Sequence, residues 1–124
     1  RIVNTNILGV AYTLRASLAE IKKNQGHVII TGSIAGRRVL SGSMYSVSKW
    51  AVSAIGYNLR EELRGTGVRV TLIEPGMVDT PFFDDPKPDA LRPDDVARTV
   101  LFALSQPPGV DISELVVMPT PPTE

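Results

Sequence analysis

His27-Val28-Ile29-Ile30-Thr31 is a short, β-branched, apolar run held between Gly26 and Gly32. A continuous apolar run of this length predicts a strand buried on both faces, the habit of strands in parallel sheets. Upstream, Ile7, Val10, Leu14, Leu18 and Ile21 recur at steps of three and four, which predicts an amphipathic helix over 6–24. Downstream comes a Gly- and Ser-rich loop from Gly32 to Gly42, then a second helical pattern over 43–64. Ala51, Ile55, Leu59 and Leu63 form its apolar stripe, and Gly65 and Gly67 stop it. Val68 to Glu74 (Val-Arg-Val-Thr-Leu-Ile-Glu) predicts the next strand, closed by Pro75-Gly76. Residues 81–92 carry Pro81, Pro86 and Pro88 and no period, and read as a mobile surface loop. Pro93 suits the first position of a third helix over 93–105, whose positive end Asp94 and Asp95 complement. A last strand, Leu115-Val116-Val117-Met118, precedes a Pro-rich tail.

Helix and strand therefore alternate three times. That order predicts an α/β fold with a parallel sheet, right-handed crossovers and helices on both faces. A doubly wound sheet usually has about six strands built as two halves. Three strands this apolar would leave a hydrophobic edge open to pairing. Residues 1–124 are accordingly expected to be the C-terminal portion of one larger doubly wound domain, and a start at Arg1 rather than Met agrees with that. A small self-sufficient three-layer domain is the alternative.

Composition narrows the function. The chain has 124 residues, 13 basic and 13 acidic side chains, no net charge, one His and no Cys. Without cysteine there is no disulfide scaffold and no thiolate-built metal site. Balanced charge without a basic block removes the footprint of a nucleic-acid binder. No apolar run approaches the roughly 18 residues of a membrane span, and no signal peptide opens the chain, so a cytoplasmic location is expected.

The chemistry concentrates between Ser33 and Lys49. Tyr45 and Lys49 stand four apart at the start of a predicted helix, so both project from one face about 6 Å apart along the axis. A phenol ionises near pH 10 and is a poor proton acceptor at neutral pH, but a nearby ammonium favours the phenolate. Such a phenol can serve as acid or base for an alcohol or carbonyl oxygen, while a hydroxyl such as Ser33 holds that oxygen by donating to it. Alone, a Tyr-x-x-x-Lys pair is more often a helix-surface arrangement. Its context is more telling. Ser33 directly follows one strand, and Pro75-Gly76-Met77-Val78-Asp79-Thr80 directly follows the next. Both lie at the carboxyl ends of parallel strands, where open α/β sheets bind ligands.

On these residues the sequence resembles the short-chain dehydrogenases/reductases. The resemblance runs from Asn6-Ile7-Leu8-Gly9 through Ser33-Ile34-Ala35-Gly36, Tyr45 to Lys49 and Pro75 to Thr80, to Ser113-Glu114-Leu115-Val116-Val117. It implies the C-terminal part of an NAD(P)-binding Rossmann domain and hydride transfer between NAD or NADP and a small carbonyl or secondary-alcohol substrate. Tyr45 would be the general acid/base, and Lys49 would lower its pKa and hydrogen-bond the nicotinamide ribose. Ser33 would orient the substrate oxygen, and Asn6 would hold a water in a proton relay reaching Lys49. Pro75, Gly76, Val78 and Thr80 would lie against the nicotinamide, with 81–92 as substrate lid. The resemblance also implies a homodimer or homotetramer joined through the two long helices.

Two departures stand out. The Ser33–Tyr45 spacing is one residue shorter than the family's, which a deletion between Arg37 and Gly42 would absorb; Ser41 and Ser43 are the alternatives for the serine. The half that carries the dinucleotide fingerprint, and with it the choice between NAD and NADP, is absent. Thr31-Gly32-Ser33-Ile34-Ala35-Gly36 imitates that fingerprint but has Arg38 where its last glycine belongs. The isolated chain is expected to be inert, and its alternative role is that of a structural or oligomerisation module.

Other polar residues read more plainly. His27 has no partner at metal-ligand spacing, and no metal site is expected. Gly-x-Ser-x-Gly is absent, which excludes the usual serine hydrolase elbow. Asp84, Asp85 and Asp89 read as solvated loop charges. Trp50 is expected in core or subunit packing, with a place on a substrate pocket as the alternative, and Phe82 and Phe83 in apolar substrate contact or lid closure.

Overall fold

The computed structural model describes residues 1–123. A π-helical turn, Val3–Leu8, leads into helix α1, Gly9–Lys23. Strand β1 (His27–Thr31) is followed by a 3-10 turn, Ile34–Gly36. Helix α2 spans Met44–Glu62, strand β2 Arg69–Pro75, helix α3 Pro93–Leu104 and strand β3 Glu114–Val117. The three strands form one sheet in the order β1-β2-β3, all parallel. Val28 stands opposite Val70 and Ile30 opposite Leu72, while Ile73 stands opposite Leu115.

The core lies on one face of this sheet. Val28, Ile30, Val70 and Leu72 pack with Val52, Leu59 and Leu63, and Leu14, Leu18 and Ile21 of α1 close the cluster. Helix α3 packs on β2 and β3, on the side of Leu115 and Val117, with Ala103 fully buried.

That division corrects the expectation for β1. β2 is buried along nearly its whole length, but β1 alternates, with Ile29 half-buried and Thr31 exposed. The reason is that α3 packs chiefly on β2 and β3, so among the described residues no helix covers the second face of β1 as α3 covers β2.

The buried face of α2 is also rotated from the predicted stripe. Ser46, Ser48, Val52, Ser53, Gly56 and Leu59 are buried, whereas Ala51 and Ile55 sit at the margin. Small residues win these positions because α2 lies against backbone: a Cβ on Gly36 would stand 2.6 Å from the carbonyl oxygen of Lys49.

Ends shift by up to three residues. Ser43 caps α2 by accepting from the Ser46 amide at 3.0 Å, and the helix stops at Glu62 before Gly65 and Gly67, whose positive φ angles of 82° and 84° end it. Helical winding begins before Asn6, because the Gly9 amide bonds the Asn4 carbonyl in the wider π register. Trp50 is not in the core. It is half exposed, and its indole donates to the Arg38 carbonyl at 3.1 Å.

Candidate active site at the carboxyl edge of the sheet

Strands β1 and β2 end side by side, with the Gly32 amide donating to the Ile73 carbonyl at 2.7 Å. Above that edge lies a cleft of about 440 Å³. Ser33, Tyr45, Lys49, Pro75, Gly76, Val78 and Thr80 all line it. Phe82 and Phe83 complete the wall, whereas neither Ser41 nor Ser43 reaches it. Asn6 faces an adjoining cavity of about 620 Å³, which shares Tyr45, Lys49 and Phe82 with the first. Its side-chain amide donates to the Ser48 hydroxyl at 3.0 Å.

Local structure prepares each group. Ser33 caps the 3-10 turn, and its Oγ accepts from the Ala35 amide at 3.0 Å. With its oxygen used as acceptor, the hydroxyl proton is left to donate. The turn is fixed to α2 by Ser46, whose hydroxyl donates to the Ala35 carbonyl at 2.8 Å. On α2, the Lys49 ammonium lies 5.8 Å from the centre of the Tyr45 ring. Burial pushes the Lys49 ammonium below the usual lysine range.

The segment after β2 offers a donor and an acceptor together. Val78 and Leu91 form a parallel bridge, in which the Asp79 amide donates to the Leu91 carbonyl at 2.8 Å and the Leu91 amide to the Met77 carbonyl at 2.9 Å. The bridge uses groups of Met77 and Asp79, so the amide and carbonyl of Val78 itself take no part in it. A carboxamide, which carries one acceptor and one donor group, matches that pair. Thr80 adds a hydroxyl whose oxygen accepts from the Phe82 amide at 3.3 Å. The residues present thus fit the amide end of a nicotinamide.

The same bridge closes the neck of the 79–90 loop. Inside the loop the Phe82 ring stands 6.0 Å from Tyr45 and 5.2 Å, edge-on, from Phe83. Lys87 lies 5.6 Å from the Phe83 ring. Asp84, Asp85 and Asp89 are exposed, and among the described residues no group of acidic or His side chains could hold a metal. His27 is at the opposite end of β1, with its Nε2 at 2.7 Å from the Thr71 hydroxyl. No helix among the described residues is long and apolar enough to cross a membrane.

One group beside the cleft escaped the sequence reading. Glu74, next to Pro75, is fully buried, and Arg37 bridges it to Glu114 on β3. A carboxylate directly after the apolar pair Leu72-Ile73, at the end of a run that predicts a buried strand, was the available signal.

A profile of the short chain dehydrogenase family matches residues 1–90. The chain belongs to this family. An uncharacterized oxidoreductase of Staphylococcus saprophyticus is 43% identical over 122 residues, an alignment taking in 94% of this chain and 52% of the relative. Among solved short-chain dehydrogenase folds, serine dehydrogenase from Escherichia coli superimposes with a TM-score of 0.79 at 37% identity, over 90% of this chain and 49% of that one. An alcohol dehydrogenase from the archaeon Thermococcus sibiricus, complexed with 5-hydroxy-NADP, gives 0.83 at 33% identity, over 96% of this chain and 53% of that one. This short-chain dehydrogenase chain spans about half the length of the relatives it matches.

Proposed function

We propose that this segment is the catalytic, nicotinamide-facing part of an NAD(P)-dependent oxidoreductase that interconverts a carbonyl and a secondary alcohol. The single observation that carries the reading is the convergence of Ser33, Tyr45 and Lys49 with the 75–80 segment on one cleft. Bound NAD(P) would supply the hydride or accept it. The protein's own groups handle the proton and the oxygen. Ser33 donates to the substrate oxygen, and the Tyr45 phenol gives it a proton in reduction or takes one in oxidation. Lys49 places its positive charge beside the Tyr45 ring and offers its ammonium to the cofactor ribose. Val78 backbone and Thr80 hold the carboxamide, while Pro75 and Gly76 form the surface beneath the ring. Asn6, on the adjoining cavity, would hold the water that resupplies protons towards Lys49.

The substrate side of the cleft is apolar, lined by Ile34, Met77, Phe82 and Phe83. A carbonyl flanked by an apolar substituent suits it. Exposed Tyr12 and Val47, with Trp50, leave large apolar surface on α1 and α2, which supports assembly of the whole protein through those helices.

Tyr45→Phe in the whole oxidoreductase tests the reading. Turnover should fall by at least about two orders of magnitude with cofactor binding retained, as when a general acid/base is removed. Undiminished turnover would overturn it.

A further inference from the structure

Glu74 is the penultimate residue of β2, its side chain wholly shielded from solvent. A Cβ on Gly32 would lie 3.5 Å from its Cγ, so it runs directly beside the residue that precedes Ser33. Its Oε1 is 3.5 Å from Arg37 Nη1, and that nitrogen is 2.5 Å from Glu114 Oε1. The Tyr57 hydroxyl donates to the same Glu114 oxygen at 2.6 Å. Oε2 of Glu74 is buried with no hydrogen-bond partner among the described residues.

These contacts join four parts of the fold around one loop. Arg37 ends the turn that Ser33 begins, its amide donating to the Ile34 carbonyl at 2.9 Å. Ser46 and Lys49 hold this turn from the side of α2; Glu74, Arg37 and Glu114 hold it from the side of the sheet. The charged or titratable groups facing Glu74 are Arg37, Tyr57 from α2 and Glu114 from β3.

Among the described residues one cation, Arg37, serves these two carboxyl groups. With Glu74 neutral, Arg37 and Glu114 balance each other. With Glu74 ionised, a second carboxylate shares one guanidinium without access to water, an unfavourable arrangement. Resting on the catalytic reading of Ser33 given above, we propose that Glu74 is a positioning residue: through Arg37 and Glu114 it anchors the sheet side of the 33–37 loop, and ionising it in this dry, singly compensated site loosens the anchor. Burial, with the neighbouring Glu114 adding to it, pushes the Glu74 carboxyl up to about 8.

The test is a set of pH–rate profiles on the whole oxidoreductase, with infrared spectra of the same samples. Wild type should show a protonated-carboxyl band at pH 7 that is absent from Glu74→Gln. Its kcat should decline with a midpoint near pH 8, at unchanged KM for cofactor. Glu74→Gln, which mimics the neutral acid, should keep kcat within about threefold at pH 7 and lose that alkaline limb. Glu114→Gln removes the like charge and should move the limb to lower pH, a result that needs no folded Glu74 variant. A limb unchanged in Glu74→Gln or in Glu114→Gln, or a wild type without the carboxyl band at pH 7, would overturn the proposal. The infrared band reads the state of Glu74 whether or not Tyr45→Phe has upheld the catalytic assignment.

Discussion

The backbone of Gly36 lies so close to the Lys49 carbonyl that a methyl group between them would stand 2.6 Å from that oxygen. The same methyl would meet the Ser53 hydroxyl at 2.8 Å. This contact seats the serine-bearing turn on the helix that carries Tyr45 and Lys49. The obstacle is helix backbone, which cannot swing aside as a long side chain would.

Gly36→Ala is therefore expected to destabilise the protein by about 1–3 kcal/mol, the usual cost of overpacking. It should also lower kcat more than it raises KM, because Ser33 is displaced relative to Tyr45. Denaturant unfolding and steady-state kinetics check the two effects separately.

Ser43→Ala removes the side chain that accepts from the Ser46 amide at the start of α2. A loss of about 1 kcal/mol is expected from the missing cap. Activity at saturating substrate should hold, since Ser43 lies outside the cleft. A large loss of kcat with unchanged stability would restore Ser43 to candidacy as the catalytic serine.

Phe82 is 74% exposed yet stands 6.0 Å from the Tyr45 ring. So exposed a side chain contributes little to folding, and Phe82→Ala should change stability by no more than about 0.5 kcal/mol. Its expected effect is on binding: KM for apolar carbonyl substrates rises about tenfold while kcat changes less.

Protonation of Glu74 also links stability to pH. Its carboxyl titrates higher in the folded protein than in the unfolded chain, chiefly because it is buried. That contribution to stability is fully present below the unfolded carboxylate pKa of about 4.3 and is lost as pH rises through about 8. Glu114 works in the opposite sense at lower pH: the neighbouring Glu74 carboxyl first, then the hydrogen bonds from Tyr57 and Arg37, hold it below its ordinary value, so its contribution is lost as pH falls through the acid range. The unfolding midpoint should therefore decline between pH 5 and pH 8, by on the order of a few kcal/mol in free energy. In Glu74→Gln the decline should be largely absent.

Local chemistry made much of this legible in one dimension. Apolar runs such as 68–74 and three- and four-residue spacings such as Leu14–Leu18–Ile21 mark strands and helices because burial follows the period of the backbone. Cap and turn residues, Ser43, Gly65 and Gly67, mark helix ends for equally local reasons. Tyr45 and Lys49 were readable as a pair because one helical turn puts them on one face whatever surrounds them.

Which faces are buried, and what meets across the sheet, had no local signature. Ile29 is half-buried because α3 stops short of β1, a matter of where a distant helix lands. Ser33 rather than Ser41 or Ser43 lines the cleft because the turn after β1 is seated on α2 through Gly36. The sequence by itself determined the α/β alternation and the helical pairing of Tyr45 with Lys49. Only the tertiary structure decided that Val78 leaves its own amide and carbonyl out of the bridge, and that Glu74, Arg37, Tyr57 and Glu114, up to 77 positions apart, close on one another. The physical reason is that hydrogen bonding within an element depends on neighbours in the chain, whereas the state of a buried charge depends on whichever side chains packing brings against it.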